Sequence, residues 1–135
     1  MKIGKNFTME EFMYSETAKR YGLKNEPDTV QCDSIRKLVS FLLQPLRELY
    51  GKPFYINSGF RSEQLNKLVG GVSTSQHKKG EAADVRVDNP RQLLAELQKS
   101  GLDFDQAILY PTFLHLSYKS AGNRKQILYA KGVQP

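Results

Sequence analysis

Residues 75–84 read SQHKKGEAAD, a segment in which His77 precedes Asp84 by seven positions. Gly80 lies between them and permits a sharp change of chain direction, because a residue without a Cβ atom adopts left-handed conformations at little cost. Ala82 and Ala83 are small enough to let a strand approach a crowded centre. The segment therefore predicts a loop that carries the histidine, a tight turn, and a strand that carries the aspartate.

The other histidine, His115, lies in FLHLSY, residues 113–118. Alternate residues of a strand share a face, so Phe113, His115 and Ser117 point to one side. If this strand pairs beside the strand of Asp84, two imidazoles and a carboxylate converge, and three such ligands with an open fourth position are typical of catalytic zinc. A plainer interpretation stays open at this point, because a histidine on a half-apolar strand is usually a hydrogen-bonded packing residue.

Helical patterns dominate the first half of the chain. Thr8 and Glu11 have the spacing of a capping box at a helix start. A long amphipathic helix is expected over residues 29–50, with a kink at Pro45, which lacks an amide hydrogen and crowds the preceding turn. Its predicted apolar face consists of Ile35, Leu38, Val39, Leu42, Leu46 and Leu49.

Strand patterns dominate the second half. Short runs rich in β-branched and aromatic residues lie at 53–57, 81–87, 105–110, 113–118 and 125–130. Asn89 and Pro90 have the positions of a cap and a first residue of one more helix, which Gly101 ends. Helices first and strands later predict an α+β fold. We expect a single domain, residues 1–135, with N-terminal helices packed on a small, mainly antiparallel sheet.

Composition limits the classes of protein to consider. With 135 residues, 39% of them hydrophobic, the chain can bury a core without disulfides or a structural metal. Its single cysteine, Cys32, excludes an internal disulfide, and its helical setting favours a buried packing role. The net charge of +6 favours anionic partners, but the basic residues form only short pairs, so we expect a solvated basic surface and no nucleic-acid binding. No apolar run approaches the roughly 18–20 residues that span a bilayer.

Three segments taken together resemble a known family. SGFRS at residues 58–62, SQHKKGEAADV at 75–85 and FLHLSY at 113–118 look like the zinc D-Ala-D-Ala carboxypeptidase family of metallopeptidases. The fold of that family is shared in outline with the hedgehog signalling domain. The resemblance extends from about residue 7 to residue 118, which is most of the chain.

The resemblance implies a role for five residues. It assigns Zn²⁺ to His77, Asp84 and His115, makes Arg61 the residue that binds and polarises the substrate near the scissile bond, and places Ser75 in the substrate cleft. The plainer interpretation of Arg61 is a surface arginine beside a turn. Its guanidinium suits the functional role because it can hold a carboxylate or a developing oxyanion through two parallel hydrogen bonds, which a lysine cannot.

The sequence departs from the family at one position. Related enzymes need a carboxylate as general base, often three residues before the last histidine ligand. Here that residue is Thr112, and AILYPT at residues 107–112 contains no carboxylate. Glu81, Asp103 and Asp105 are the nearest alternatives. Zinc by itself lowers the pKa of bound water to about 7, so loss of a base is expected to slow the reaction roughly 10²–10⁴-fold rather than abolish it.

Two functions remain open. The first is a zinc peptidase that hydrolyses D-Ala-containing stem peptides of bacterial peptidoglycan, as a carboxypeptidase or an endopeptidase, by attack of zinc-activated water. The second is a catalytically silent, zinc-bearing module that binds cell-wall peptide or a protein partner. The positive charge suits both, because the cell wall carries phosphate and carboxylate groups.

The expected location follows from the start of the chain. MKIGKNFTMEEF lacks the continuous apolar stretch of a signal peptide. We therefore expect a cytoplasmic protein until release, or one that reaches the cell wall or periplasm by export or phage delivery, in the manner of a phage endolysin. A monomer is the expected state, with no membrane span.

Overall fold

The computed structural model describes all 135 residues and begins with a small hairpin followed by two short helices. These elements are β1 (Lys2–Gly4), β2 (Phe7–Thr8), α1 (Met9–Met13) and α2 (Glu16–Arg20). The capping box is confirmed, because the Thr8 hydroxyl accepts a hydrogen bond from the Glu11 N–H and the Glu11 carboxylate accepts one from the Thr8 N–H. The sequence did not predict the hairpin, whose strands are only three and two residues long.

The long amphipathic helix is present but not uniform. It consists of α3 (Thr29–Leu38), a π-helical turn (Val39–Leu43) and α4 (Gln44–Tyr50). The π turn lies directly before Pro45, where the Gln44 N–H bonds to the Val39 carbonyl five residues back. Because a π turn holds one residue more than an α turn, it rotates the rest of the helix. The prediction for Leu49 was therefore wrong: it is 55% exposed, and Tyr50 is buried in its place.

The second half contains a five-stranded sheet. Its strands are β3 (Tyr55–Ser58), β4 (Ala82–Arg86), β5 (Gln106–Leu109), β6 (Phe113–Ser117) and β7 (Gln126–Tyr129). Their order is β3-β4-β6-β5-β7, and every pair is antiparallel except β5 with β7. The predicted α+β class and mainly antiparallel sheet are confirmed; the parallel β7 was not expected.

The helices cover one face of this sheet and leave the other open. Ala83 and Val85 of β4 belong to the core together with the apolar residues of α3, α4 and a later helix, α6 (Pro90–Ser100). Side chains of a strand point alternately to its two faces. Asp84 and His115 therefore lie on the opposite, open face, and this alternation separates the core from the site described below.

Shorter features complete the architecture. Asn89 caps α6 and Gly101 ends it with a φ of 73°, as predicted. Helix α5 (Glu63–Leu68) is capped by Ser62 and packs against a 3₁₀ turn (Gln76–Lys79) at the edge of the open face. Cys32 is half-buried against the core rather than fully buried. No helix is long and apolar enough to pass through a lipid bilayer.

Candidate metal centre

Three side chains able to bind a metal ion converge on the open face of the sheet. His77 lies on the 3₁₀ turn, and Asp84 of β4 is directly opposite His115 of β6 in the antiparallel register. The Nδ1 of His115 is 2.8 Å from Oδ1 of Asp84, and the Nε2 of His77 is 3.4 Å from the same oxygen. All three candidate ligand atoms lie within 4.8 Å of one another. The structure brings together the three residues that the sequence singled out.

The separations between these atoms fit a zinc ion. Ligands about 2.0–2.1 Å from a tetrahedral zinc are roughly 3.3 Å apart. The observed 2.8 and 3.4 Å lie on either side of that distance. Two imidazole nitrogens and one carboxylate oxygen form a ligand set that suits zinc and leaves a fourth position for water or substrate. The donor set and its spacing are therefore compatible with a catalytic zinc site.

The ring of His77 is oriented by a backbone carbonyl. Its Nδ1 lies 2.7 Å from the carbonyl oxygen of Gly59. A carbonyl oxygen only accepts, so Nδ1 carries the hydrogen, and Nε2 is the ring nitrogen that is directed toward Asp84. Gly59 lies so close to α1 that a Cβ atom there would be 2.7 Å from the Phe12 Cα. Only glycine fits at this position, a requirement that the sequence analysis missed.

The segment between His77 and Asp84 has the predicted turn. The Ser75 hydroxyl caps the 3₁₀ turn by accepting a hydrogen bond from the His77 N–H at 3.2 Å. Gly80 ends the turn with a φ of 75°, and a Cβ atom there would be 2.5 Å from the carbonyl oxygen of Gln31. Ser75 therefore supports His77 directly, and it also lines a cavity that His115 borders.

The carboxylate of Asp84 is ionised at neutral pH. Burial raises the pKa of Asp84, but hydrogen bonds and charge interactions with His115 and His77 outweigh burial and hold the pKa below its usual range. The side chain of Asp84 is only 13% exposed. A metal ligand must be deprotonated, so this environment prepares Asp84 for a cation.

Arg61 lies beside the centre and is held in place by neutral groups. Its Nε donates to the Ser58 hydroxyl at 3.2 Å and its Nη1 to the Asn66 Oδ1 at 3.3 Å, while its Nη2 is 3.8 Å from Asp84 Oδ2. Burial lowers the pKa of Arg61 and the charge of Asp84 partly offsets this effect. Gly71 leaves room for the amide that accepts the Arg61 hydrogen bond, because a Cβ atom on Gly71 would be 2.1 Å from Asn66 Oδ1. Ser58, Asn66 and Gly71 were not singled out by the sequence analysis.

Of the three alternative carboxylates, Asp105 is committed to structural contacts. It is fully buried and accepts hydrogen bonds from Arg124 Nε at 3.0 Å, Arg124 Nη2 at 2.8 Å and Gln76 Nε2 at 3.1 Å. The hydrogen bond from Arg124 lowers the pKa of Asp105 to about 2, against the opposing effect of burial. A carboxylate engaged in this way is unsuited to accept a proton from water at neutral pH.

The other two alternatives differ in position. Asp103 is exposed and accepts a hydrogen bond from Asn123. Glu81 directly precedes β4 and lines the same cavity as His115. Thr112, at the position of the usual base, is exposed in the turn between β5 and β6. Glu81 is therefore the one of the three whose side chain faces the cavity beside the centre without a salt bridge.

Comparisons with known proteins agree with this geometry. A family model described as Peptidase M15 matches residues 5–117. A zinc D-Ala-D-Ala carboxypeptidase from Streptomyces albus G is 50% identical over 44 residues. That match covers 32% of this chain and only 17% of the length of that relative. The family match includes every residue of the candidate centre, whereas residues 118–135 lie outside it.

Proposed function

Because the chain belongs to the peptidase M15 family, we propose that it is a zinc peptidase that hydrolyses D-Ala-containing peptides of bacterial peptidoglycan. The observation that carries the proposal is the convergence of His77, Asp84 and His115, with ligand atoms within 4.8 Å on a face that the core leaves open. The D-Ala specificity rests on the partial similarity to the Streptomyces albus G carboxypeptidase. Both a terminal D-Ala and a cross-link are compatible with it.

The proposed metal ligands are His77 Nε2, an oxygen of Asp84 and His115 Nδ1. When bound, zinc supplies a Lewis acid that polarises a peptide carbonyl and activates water. The Gly59 carbonyl keeps the hydrogen of His77 on Nδ1 and so keeps Nε2 available. Asp84 compensates part of the metal's charge, and its low pKa keeps it deprotonated at neutral pH.

Arg61 is proposed to be the catalytic residue that binds substrate. Hydrogen bonds from Nε and Nη1 to Ser58 and Asn66 hold its guanidinium plane, which limits the orientations that it can adopt. A prearranged cation stabilises charge that develops on a carbonyl oxygen without a cost of reorganisation during the reaction. Ser75 is proposed to contribute to the substrate cleft from the other side, since it lines the cavity beside His115.

All 135 residues are proposed to form one such domain. Residues beyond the family match pack against the rest: Arg124 pairs with buried Asp105, and β7 adds to the sheet beside β5. The proposed partner is the stem peptide of peptidoglycan, acted on at the cell wall by a monomer.

A second function is favoured by one observation. No carboxylate occupies the position three residues before His115, and buried Asp105 is already paired with Arg124. A zinc-bearing module that binds stem peptide without cutting it would show this pattern. It differs from the peptidase in giving measurable affinity and no product.

Mass spectrometry of reaction products tests the two functions. Zinc-loaded protein is incubated with purified peptidoglycan and with a stem pentapeptide, beside a chelated sample and a His77→Ala variant whose fold is checked by circular dichroism. Release of D-Ala, or of cut cross-links, only from the zinc-loaded native protein supports the peptidase. Full activity of His77→Ala contradicts it. One zinc per chain with peptide binding and no product supports the silent module.

A further inference from the structure

A polar cavity of about 470 Å³ adjoins the candidate centre on the side of His115. It lies between the 3₁₀ turn and the segment that follows β6, and only two of its twelve lining residues are hydrophobic. Arg61 does not border it; with Ser58, Arg61 lines a different pocket of about 250 Å³. A peptide that contacts both Arg61 and the metal ligands could therefore insert a further side chain into the polar cavity beside His115.

Two charged residues of this cavity already neutralise each other. Arg124 forms a two-point ion pair with Asp105, and Gln76 donates to both Asp105 and Glu81. The two-point geometry uses the Arg124 Nε and Nη2 donors and engages both oxygens of the Asp105 carboxylate. Because their hydrogen-bonding groups are used by one another, these residues line the cavity without offering a free charge to a ligand.

Three other charged groups of the cavity have unused capacity. Lys79 and Lys119 line it, yet the only lysines that form ion pairs in this protein are Lys37 and Lys78. Glu81 accepts a single hydrogen bond through one oxygen, from Gln76 at 3.3 Å. Two lysines without an ion pair and one partly free carboxylate therefore line the same cavity.

We propose that this cavity binds a substrate side chain that carries both a carboxylate and an amine, such as that of diaminopimelate at the third position of a stem peptide. The carboxylate would contact Lys79 and Lys119, and the amine would contact Glu81. An L-lysine side chain brings the same amine without the carboxylate, so nothing offsets the like-charge repulsion between its ammonium group and those of Lys79 and Lys119. The inference rests on the proposed function, since it names the substrate class of that site.

Binding of matched peptides to the full chain tests the subsite apart from catalysis. The chelated, metal-free protein is titrated calorimetrically with three stem pentapeptides that differ only at the third residue: diaminopimelate, diaminopimelate with its side-chain carboxylate amidated, and L-lysine. Two partly exposed charge contacts are expected to give roughly tenfold tighter binding of the first peptide than of the other two. Equal affinity for all three peptides overturns the proposal.

Variants assign the preference to the named residues. Lys119→Ala and Lys79→Ala are each expected to reduce the preference for diaminopimelate over its amide. Glu81→Gln is expected to weaken the binding of all three peptides by a similar factor, because the side chain of each carries the amine. Lys131→Ala and Glu48→Gln make the same charge changes at exposed positions outside the cavity and are expected to leave the affinities and the preference unchanged. An equal loss in the control variants overturns the assignment.

A parallel turnover assay separates failure of the subsite from failure of the proposed function. Zinc-dependent cleavage at the same kcat/KM for all three peptides contradicts the subsite and leaves the peptidase intact. Discrimination in binding without any cleavage contradicts the peptidase and leaves the subsite intact. If the protein neither binds the peptides at millimolar concentration nor cleaves them, both the subsite and the peptidase are contradicted.

Discussion

Two buried aspartates on the open side of the sheet are held in opposite ways. Asp105 is fully buried and receives a two-point ion pair from Arg124 and an amide hydrogen from Gln76. Asp84 faces two imidazoles at 2.8 and 3.4 Å, with the nearest guanidinium nitrogen 3.8 Å away. A carboxylate enclosed by an arginine and an amide serves the fold, whereas one that faces two imidazole rings is arranged for a cation.

The largest expected effect concerns zinc at Asp84. Asp84→Ala removes one of three ligands, so we expect loss of stoichiometric zinc. For the native protein, zinc at 100 times its dissociation constant is expected to raise the free energy of unfolding by about 2.7 kcal/mol. That increase should vanish in Asp84→Ala, as measured by denaturant unfolding with and without zinc.

Asp105→Ala is the matched control for this experiment. It removes the other buried aspartate, which is expected to destabilise the protein. The zinc affinity is expected to stay within about tenfold of the native value, because Asp105 contacts none of the three ligands. One zinc per chain in Asp84→Ala, or its loss in folded Asp105→Ala, contradicts the contrast between the two carboxylates.

The second effect concerns the support of His77. Gly59→Ala places a Cβ atom 2.7 Å from the Phe12 Cα, so the chain must shift and the carbonyl that orients His77 moves with it. We expect a loss of about 1–3 kcal/mol of stability and a 10–100-fold loss of zinc affinity. Competition with a chromophoric chelator measures the affinity. Gly22→Ala, where a Cβ atom meets open space, should change stability without changing zinc affinity.

The third effect concerns the wall of the cavity. Arg124→Ala leaves the buried Asp105 carboxylate without its two strongest donors, which is expected to lower the stability of the protein. The Arg124 side chain is 53% exposed, so water can replace part of the interaction and the loss is expected to be smaller than that caused by Gly59→Ala. Urea unfolding compares this variant with Arg20→Ala, an exposed arginine. Equal stability of the two variants would show that the ion pair contributes nothing.

The smallest expected effect is the pH dependence of the stabilisation that the Asp105–Arg124 ion pair provides. The pKa of Asp105 is lowered from 3.8 to about 2 in the folded protein, so its unfolded state binds a proton first as the pH falls. The stabilisation is complete above about pH 4 and declines as the pH falls toward 2. The native protein should therefore lose its stability advantage over Arg124→Ala across this interval. A constant difference between the two proteins would refute the linkage.

Local patterns were the reliable part of the sequence analysis. The cap at Thr8, the helix bounded by Asn89 and Gly101, and the turn at Gly80 were predicted and are present. Each depends on interactions between residues a few positions apart, which residue types record directly. The π turn before Pro45 shows the limit of this approach: a kink was expected, but not the extra residue that turned Leu49 outward.

The sequence by itself determined that the chain is an α+β protein and that His77, Asp84 and His115 are its candidate ligands, because strand alternation and side-chain chemistry are local properties. Only the tertiary structure decided which groups orient these ligands and which groups engage the other buried carboxylate, Asp105. The contact of His77 with the Gly59 carbonyl spans 18 residues, and that of Asp105 with Arg124 spans 19. Such contacts form when separate elements pack together, and a backbone carbonyl is the same in every residue, so neither leaves a pattern that the sequence alone reveals.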